Sequence, residues 1–344
     1  MPDSEAQPRL TFGIYPGGAA GSVARSGPAR PEDPALRLAA LERLRSPGRP
    51  FVLHLYVGYT GPGGYSARDQ IGTELAAYAA AGFQTEVAIC YRPAGGGSDA
   101  DVAGFVAFVR TTVESFARDP GFVSVQVTNE ANVGGAPDAC DGAYLGARDA
   151  LIDGVIAAHE VVQANRFSGV RVGFNWAYST EQDQEVFWRY LGRTGGPRFT
   201  GALDWVGLDA YPFTWNSPDP PASSDELAVA TARWMDRALS LLRSTYLPFA
   251  GIPDTVSLQL SENGYPTGPG RTDAMQATVL RAAVTAVHQA RRADNVTGYR
   301  WFDLRDADSS GPSFESGYGI MRDDYSPKPA FAVYRQLVAE FGAR

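Results

Sequence analysis

Apolar residues along this chain fall in short alternating runs, each closed by turn residues, which is the signature of half-buried strands. Eight runs predict strands: Leu10–Tyr15, Phe51–Val57, Phe83–Tyr91, Val123–Thr128, Val170–Trp176, Leu203–Asp209, Val256–Ser261 and Gly298–Asp303. Between them apolar positions recur at three and four residues, the spacing of a helix with one buried face. Helices are predicted over Pro34–Leu44, Asp69–Ala81, Asp99–Arg118, Gly142–Asn165, Glu181–Gly192, Ser224–Thr245, Asp273–Ala293 and Lys328–Phe341. Within Asp225–Leu242 the expected buried stripe is Ala228, Ala232, Met235, Leu239 and Leu242.

Eight strands alternating with eight helices, with no linker that divides two cores, predict one α/β domain over residues 1–344: a (β/α)8 TIM barrel. A doubly wound sheet is the competitor, and it places a phosphate-binding glycine loop after its first strand. The segment Tyr15–Val23 is glycine-rich, yet it matches neither GxGxxG nor GxxxxGK, and an ordinary turn is expected. The irregular pieces Thr60–Ala67, Ala131–Cys140, Thr214–Ser224 and Ala307–Tyr318 all follow strand C-termini, where barrel sites are built.

Composition narrows the chemistry. With 44% hydrophobic and 20% charged residues, the chain has the material for a core and is not a disordered polymer. Thirty Lys+Arg against 38 Asp+Glu give a formal charge of −8, which removes the electrostatic basis for nucleic-acid binding. Lys328 is the sole lysine. No run approaches the ~18 apolar residues of a membrane span. The start, Met-Pro-Asp-Ser-Glu, lacks the basic and apolar segments of a signal peptide, and the compartment stays open. His54, His159 and His288 lie far apart, and Cys90 and Cys140 match no zinc spacing, so no histidine-based metal site is expected. A Cys90–Cys140 disulfide and two separate thiols are both allowed.

Two carboxylates stand out by position. The fourth strand runs into Asn129-Glu130 and the seventh into Glu262. Alternation groups Gln126, Thr128 and Glu130 on one face, and Val256, Leu258, Leu260 and Glu262 on another. Strands four and seven lie across a barrel mouth, so the two glutamates can flank one bound group. A retaining glycosidase needs that arrangement: an acid/base and a nucleophile with carboxyl groups ~5–5.5 Å apart.

In these segments the sequence resembles the large clan of retaining (β/α)8 glycoside hydrolases, clan A, with features similar to families 5 and 39. The resemblance implies Glu130 as acid/base, from the Asn-Glu pair, and Glu262 as nucleophile, from Ser261-Glu-Asn-Gly-Tyr-Pro-Thr267. Trp301-Phe-Asp-Leu-Arg-Asp306 and the closing Gly317–Ala330 segment are similar to the clan's eighth-strand tryptophan and chain end. Where family 5 members carry histidines beside strands three and six, this sequence has Arg92 and Tyr211. Implied roles follow. Asn129 would bond a sugar 2-hydroxyl, Tyr211 would donate to Glu262, and Trp301 would be an aromatic floor. Tyr56, Arg92 and Asn175 are further candidate sugar contacts, and Trp215 an outer-subsite candidate. His54 is expected as a core histidine, Trp176 as packing under a helix, and Asp303, Arg305 and Asp306 as an ion-pair network beneath the mouth. The partner is expected to be an oligo- or polysaccharide, cleaved at equatorial, β-D type bonds by a monomeric enzyme that calls for neither metal nor organic cofactor. The alternative is a glycan-binding barrel without turnover.

Overall fold

The computed structural model describes residues 9–18, 27–61, 67–93, 100–180, 183–215 and 219–343. Part of the glycine-rich segment after Tyr15, parts of the loops after the second and sixth strands, and the predicted helix starts at Asp99 and Glu181 lie outside the described residues.

Eight strands form a closed parallel barrel in sequence order: β1 Thr11–Ile14, β2 Phe51–Tyr59, β3 Gln84–Tyr91, β4 Phe122–Val127, β5 Arg171–Ala177, β6 Trp205–Ala210, β7 Ser257–Asn263 and β8 Val296–Trp301. Ring closure is the β1–β8 pairing, with Ile14 opposite Trp301. Helices α1 Pro34–Leu44, α2 Arg68–Ala80, α3 Val102–Phe116, α4 Ala147–Asn165, α5 Asp183–Thr200, α6 Ser224–Leu241, α7 Asp273–Ala290 and α8 Pro329–Phe341 follow the strands. The barrel class and all sixteen predicted elements are present.

Local chemistry sets the helix starts. Asp33 caps α1 by accepting from the Ala35 and Leu36 amides at 2.8 and 3.1 Å, with Pro34 in the first turn. Ser223 and Glu226 bond reciprocally at the start of α6. The buried row of α6 is Leu227, Thr231, Met235, Ala238 and Leu239, not one through Ala228 and Ala232. A threonine fits that row because its hydroxyl donates to the Leu227 carbonyl at 2.7 Å. Past Leu241 the helix continues through a π turn, Leu242–Tyr246, into a short turn at Leu247–Ala250. Helix α5 runs beyond the predicted Gly192 but breaks at Gly196, where φ is +54° ahead of Pro197.

Strand faces differ from simple alternation where the site is built. In β7, Gln259 faces the barrel interior, donating at 3.0 Å to Glu86 of β3. Asn263 points outward, its amide toward the sulfur of Met235 in α6. Leu258 and Leu260 therefore belong to the outer layer, correcting the expected Val256-to-Glu262 row. Glu262 reaches the mouth because the β6–β7 register slips at Ser261: Leu208 pairs Leu260, while Asp209 pairs Glu262. Strand β4 ends at Val127, and Thr128 and Glu130 take left-handed φ of +64° and +49°. Glu130 is thus placed by a strained turn rather than by continued pleating.

Beneath the mouth the barrel holds a polar plug. Glu86 is fully buried, accepts from His54 Nδ1 at 3.0 Å and from Gln259, and forms an ion pair with Arg300 at 3.4 Å. Burial alone would raise the Glu86 pKa, but Arg300, His54 and Gln259 hold it well below the ordinary range. His54 is the core histidine expected. Asp306 pairs with Lys328 at 2.7 Å, whereas Arg305 donates to the carbonyls of Arg30 and Asp323. The expected network among Asp303, Arg305 and Asp306 is therefore replaced by one ion pair and backbone bonds. Among the described residues no helix is long and apolar enough to cross a membrane.

Arg300→Met should leave Glu86 a buried charge without its guanidinium partner and cost about 3–5 kcal/mol, measured by urea unfolding at neutral pH. Because the folded pKa of Glu86 is depressed, its contribution is present above ~4.3 and lost as pH falls further. The penalty should therefore shrink in acid. An equal penalty at pH 3 and pH 7 would refute the charge argument.

Candidate active site

The C-terminal mouth gathers three carboxylates. One oxygen each from Glu130, Asp209 and Glu262 lies within 4.8 Å of the other two. Asp209 and Glu262 are buried, and Glu130 is half-buried.

Glu262 is held by two phenols. Tyr56 donates to Oε1 and Tyr211 to Oε2, each at 2.5 Å. Burial first, and then the charge of Glu262, raise both phenol pKa values well above 10, so both remain donors. Gly264 makes room for this clamp, since a Cβ there would sit 2.9 Å from the Tyr211 ring and 2.5 Å from the Phe302 carbonyl. The expected Tyr211 contact is present. Tyr56, expected to face sugar, spends its hydroxyl on Glu262.

Asp209 accepts from Ser261 Oγ at 2.6 Å and from the Asn175 amide. Burial, followed by the charges of Glu262 and Glu130, raises its pKa well above the carboxylate range. Asn175 is fully buried, with its second amide hydrogen on Asn129 Oδ1 at 2.8 Å and its Oδ1 receiving the Glu130 amide at 2.8 Å. It braces the Asn129-Glu130 turn and has no amide hydrogen left for a sugar, correcting the expected contact.

Glu130 has its pKa raised to about 8, first by burial and next by the charge of Glu262. Its carboxylate receives the Cys140 thiol at 2.7 Å. The Asn129 side chain donates to the Ala139 carbonyl at 2.9 Å, which leaves one amide hydrogen. Arg92 bonds Asp141 at 3.4 Å and the carbonyls of Asp138 and Ala139 at 3.1 and 2.9 Å. It clamps the loop after β4 instead of projecting to a ligand. Cys90 and Cys140 are both free and buried, so no disulfide forms.

Trp301 is not a floor. It shares the outward face of Tyr299, which bonds Asn263, and it is fully buried in the layer between barrel and helices. Arg300 takes the inward parity because Glu86 holds it there. The aromatic at the mouth is Phe302, stacked on Tyr15 at 5.0 Å and 3° and packed edge-on against Tyr211 and Tyr318. Trp215 stands at the rim, 45% exposed, with its ring 5.1 Å from Phe314. Trp176 packs on Trp188 of α5, as expected.

Asp209, Cys140, Phe302 and Tyr15 were not anticipated as site residues. Asp209 alone left a trace, near the end of the sixth strand and two residues before Tyr211. Glu130, Asp209 and Glu262 could hold a cation by spacing, but both oxygens of Asp209 and of Glu262 already accept protein donors. That donor set suits sharing of protons.

No family model matches the sequence, and no curated protein does. Solved structures match the fold. They include a GH5_18 from Bifidobacterium longum subsp. infantis, at 15% identity and TM-score 0.66 over 98% of this chain and 80% of that one. A β-glucosidase from Thermotoga maritima matches at 14% identity and TM-score 0.65, covering 98% and 99%. A fungal β-1,4-galactanase matches at 12% and 0.60, covering 95% and 99%. The chain therefore has the (β/α)8 fold that these glycoside hydrolases share.

In protein labelled with 13C at glutamate carboxyls, Glu130 should titrate near 8. In Glu262→Gln the neighbouring charge is gone, and the value should fall by about one unit or more. An unchanged titration would show that the two carboxylates do not interact.

Proposed function

We propose that this chain is a retaining glycoside hydrolase, with Glu262 as nucleophile and Glu130 as acid/base, acting on equatorial, β-D type bonds of an oligo- or polysaccharide. The observation that carries this reading is the pair of glutamates whose oxygens approach within 4.8 Å at the barrel mouth. An approach this close supports double displacement, whose carboxyl groups lie ~5–5.5 Å apart; inverting enzymes leave ~6.5–9.5 Å for a water. The fold shared with β-glucosidases and a β-1,4-galactanase supports the β preference.

The geometry supports a two-step course. Glu130 begins protonated and gives its proton to the leaving oxygen as the Glu262 carboxylate attacks the anomeric carbon. The two phenols keep Glu262 on line. Formation of the ester consumes the charge of Glu262, and with it one cause of the raised Glu130 pKa. Glu130 then takes a proton from water, which attacks the anomeric carbon and releases Glu262. The spare amide hydrogen of Asn129 would meet the sugar 2-hydroxyl, a bond that strengthens with oxocarbenium character. Phe302 replaces Trp301 as the proposed stacking surface, and Trp215 with Phe314 extends it outward. Arg92, Asn175 and Tyr56 act by positioning.

A panel of aryl glycosides and polysaccharides tests this reading. One class should be turned over, with Glu262→Gln losing ~10⁴-fold or more. Glu130→Ala should be rescued by azide as a β-glycosyl azide. Turnover that survives Glu262→Gln would refute the mechanism, and glycan binding without turnover would leave a binding barrel.

Two further outcomes are expected with the substrate so found. The acid form of Glu130 is required first, so kcat/KM should fall as pH rises through about 8. Tyr211→Phe removes one bond to a charged group and should lower kcat/KM about 10- to 100-fold. A flat alkaline profile, or a Tyr211→Phe enzyme of wild-type rate, would contradict these assignments.

A further inference from the structure

Among the described contacts, one side chain hydrogen-bonds the carboxylate of Glu130, and it is a thiol. The Cys140 Sγ donates to Oε2 at 2.7 Å. The contact is built, not incidental. Cys140 ends a turn closed by its own amide on the Ala136 carbonyl at 2.7 Å. The next residue, Asp141, is fully buried and accepts the backbone amides of Tyr91 and Asn129 at 2.6 and 2.8 Å. Arg92 grips the same turn from β3. At Gly142 a Cβ would come within 2.6 Å of the Val133 carbonyl oxygen and 2.7 Å of that of Ala131, so only glycine lets the loop fold back this tightly. The loop after β4 is therefore anchored on both sides of the Asn129-Glu130 turn, and Cys140 is its contact with the carboxylate.

We propose that Cys140 is a positioning residue for Glu130: its thiol fixes one carboxyl oxygen and sets the balance between the acid and base forms of the group. This rests on the glycosidase reading of Glu130. A thiol is a weak donor. It orients the carboxylate while favouring the ionised form less than a hydroxyl would, which suits a group that must be an acid in one step and a base in the next. The thiol itself stays protonated, because burial and the charge of Glu130 both raise its pKa. The other groups facing Glu130 are Glu262 on β7, Asp209 on β6, Asp141 on the same loop, and Arg92 and Cys90 at the end of β3. Substitution of Cys140 by a neutral side chain leaves all of them in place.

The test compares Cys140→Ser and Cys140→Ala with the parent by two readouts: the alkaline limb of kcat/KM, and the 13C titration of the Glu130 carboxyl without substrate. A hydrogen bond to the ionised form lowers a carboxyl pKa. Cys140→Ala should therefore shift both readouts to higher pH, and Cys140→Ser to lower pH, each by ~0.5 unit. Coincident titrations for all three proteins, or shifts of one sign in both variants, would overturn the inference. If Cys140→Ala fails to fold, the downward shift in Cys140→Ser decides alone. Ordered NMR shifts in a protein that hydrolyses no glycoside would sink the function and keep the contact. Turnover with unmoved titrations would sink the inference and keep the function.

Discussion

Three carboxylates within 4.8 Å of one another, largely out of water, cannot all be charged without penalty. At an effective dielectric near 20, each pair of charges at that distance repels by roughly 3–4 kcal/mol. The rest of the site answers that constraint. Asp209 and Glu130 are pushed toward their protonated forms, by burial first and by their neighbours next. Glu262 is given two phenolic donors, and Asp209 a hydroxyl and an amide. The asymmetry of donors sets the three groups apart from one another, as the proposed acid and nucleophile would require.

The scaffold spends stability to hold that crowding. Thr128 and Glu130 sit in left-handed backbone flanking Asn129, a β-branched residue among them, at a cost on the order of 1–3 kcal/mol each. Asn175, Asp141 and Arg92 offset the strain with bonds to the backbone of the turn or to the loop that folds over it. One level down, the Glu86–Arg300–His54–Gln259 plug ties β2, β3, β7 and β8 together across the barrel axis. The mouth therefore rests on a polar interior, where a packed apolar one is usual.

Architecture was legible because the periodic signal is repeated eight times, and most strand limits agree within two residues. Faces near the site were less legible. Pleating carries alternation only while the ladder is regular, and the slip at Ser261 and the turn at Thr128 both break it. Glu262 and Glu130 stand out by their place at the ends of the seventh and fourth strands and by the residues beside them, while the alternation expected for them does not hold. Trp301 and Phe302 exchange places for a different reason: the inward parity of β8 is set by Arg300 pairing with Glu86 across the barrel, a contact no local pattern reveals. Asn175 and Arg92 were identified as polar residues at strand ends, yet their hydrogen bonds are spent inside the protein. Cys140 left no trace, because a loop cysteine becomes a partner of Glu130 only once Asp141 and Gly142 fold that loop back.

The close approach of Glu130 and Glu262 is read most directly by stereochemistry. Proton NMR of the first product formed from an active β-glycoside, before mutarotation, reports the anomer released. The geometry predicts the β-anomer, by two displacements through a Glu262 ester. Initial release of the α-anomer would mean that water attacks directly, and the roles assigned to the two glutamates would be wrong.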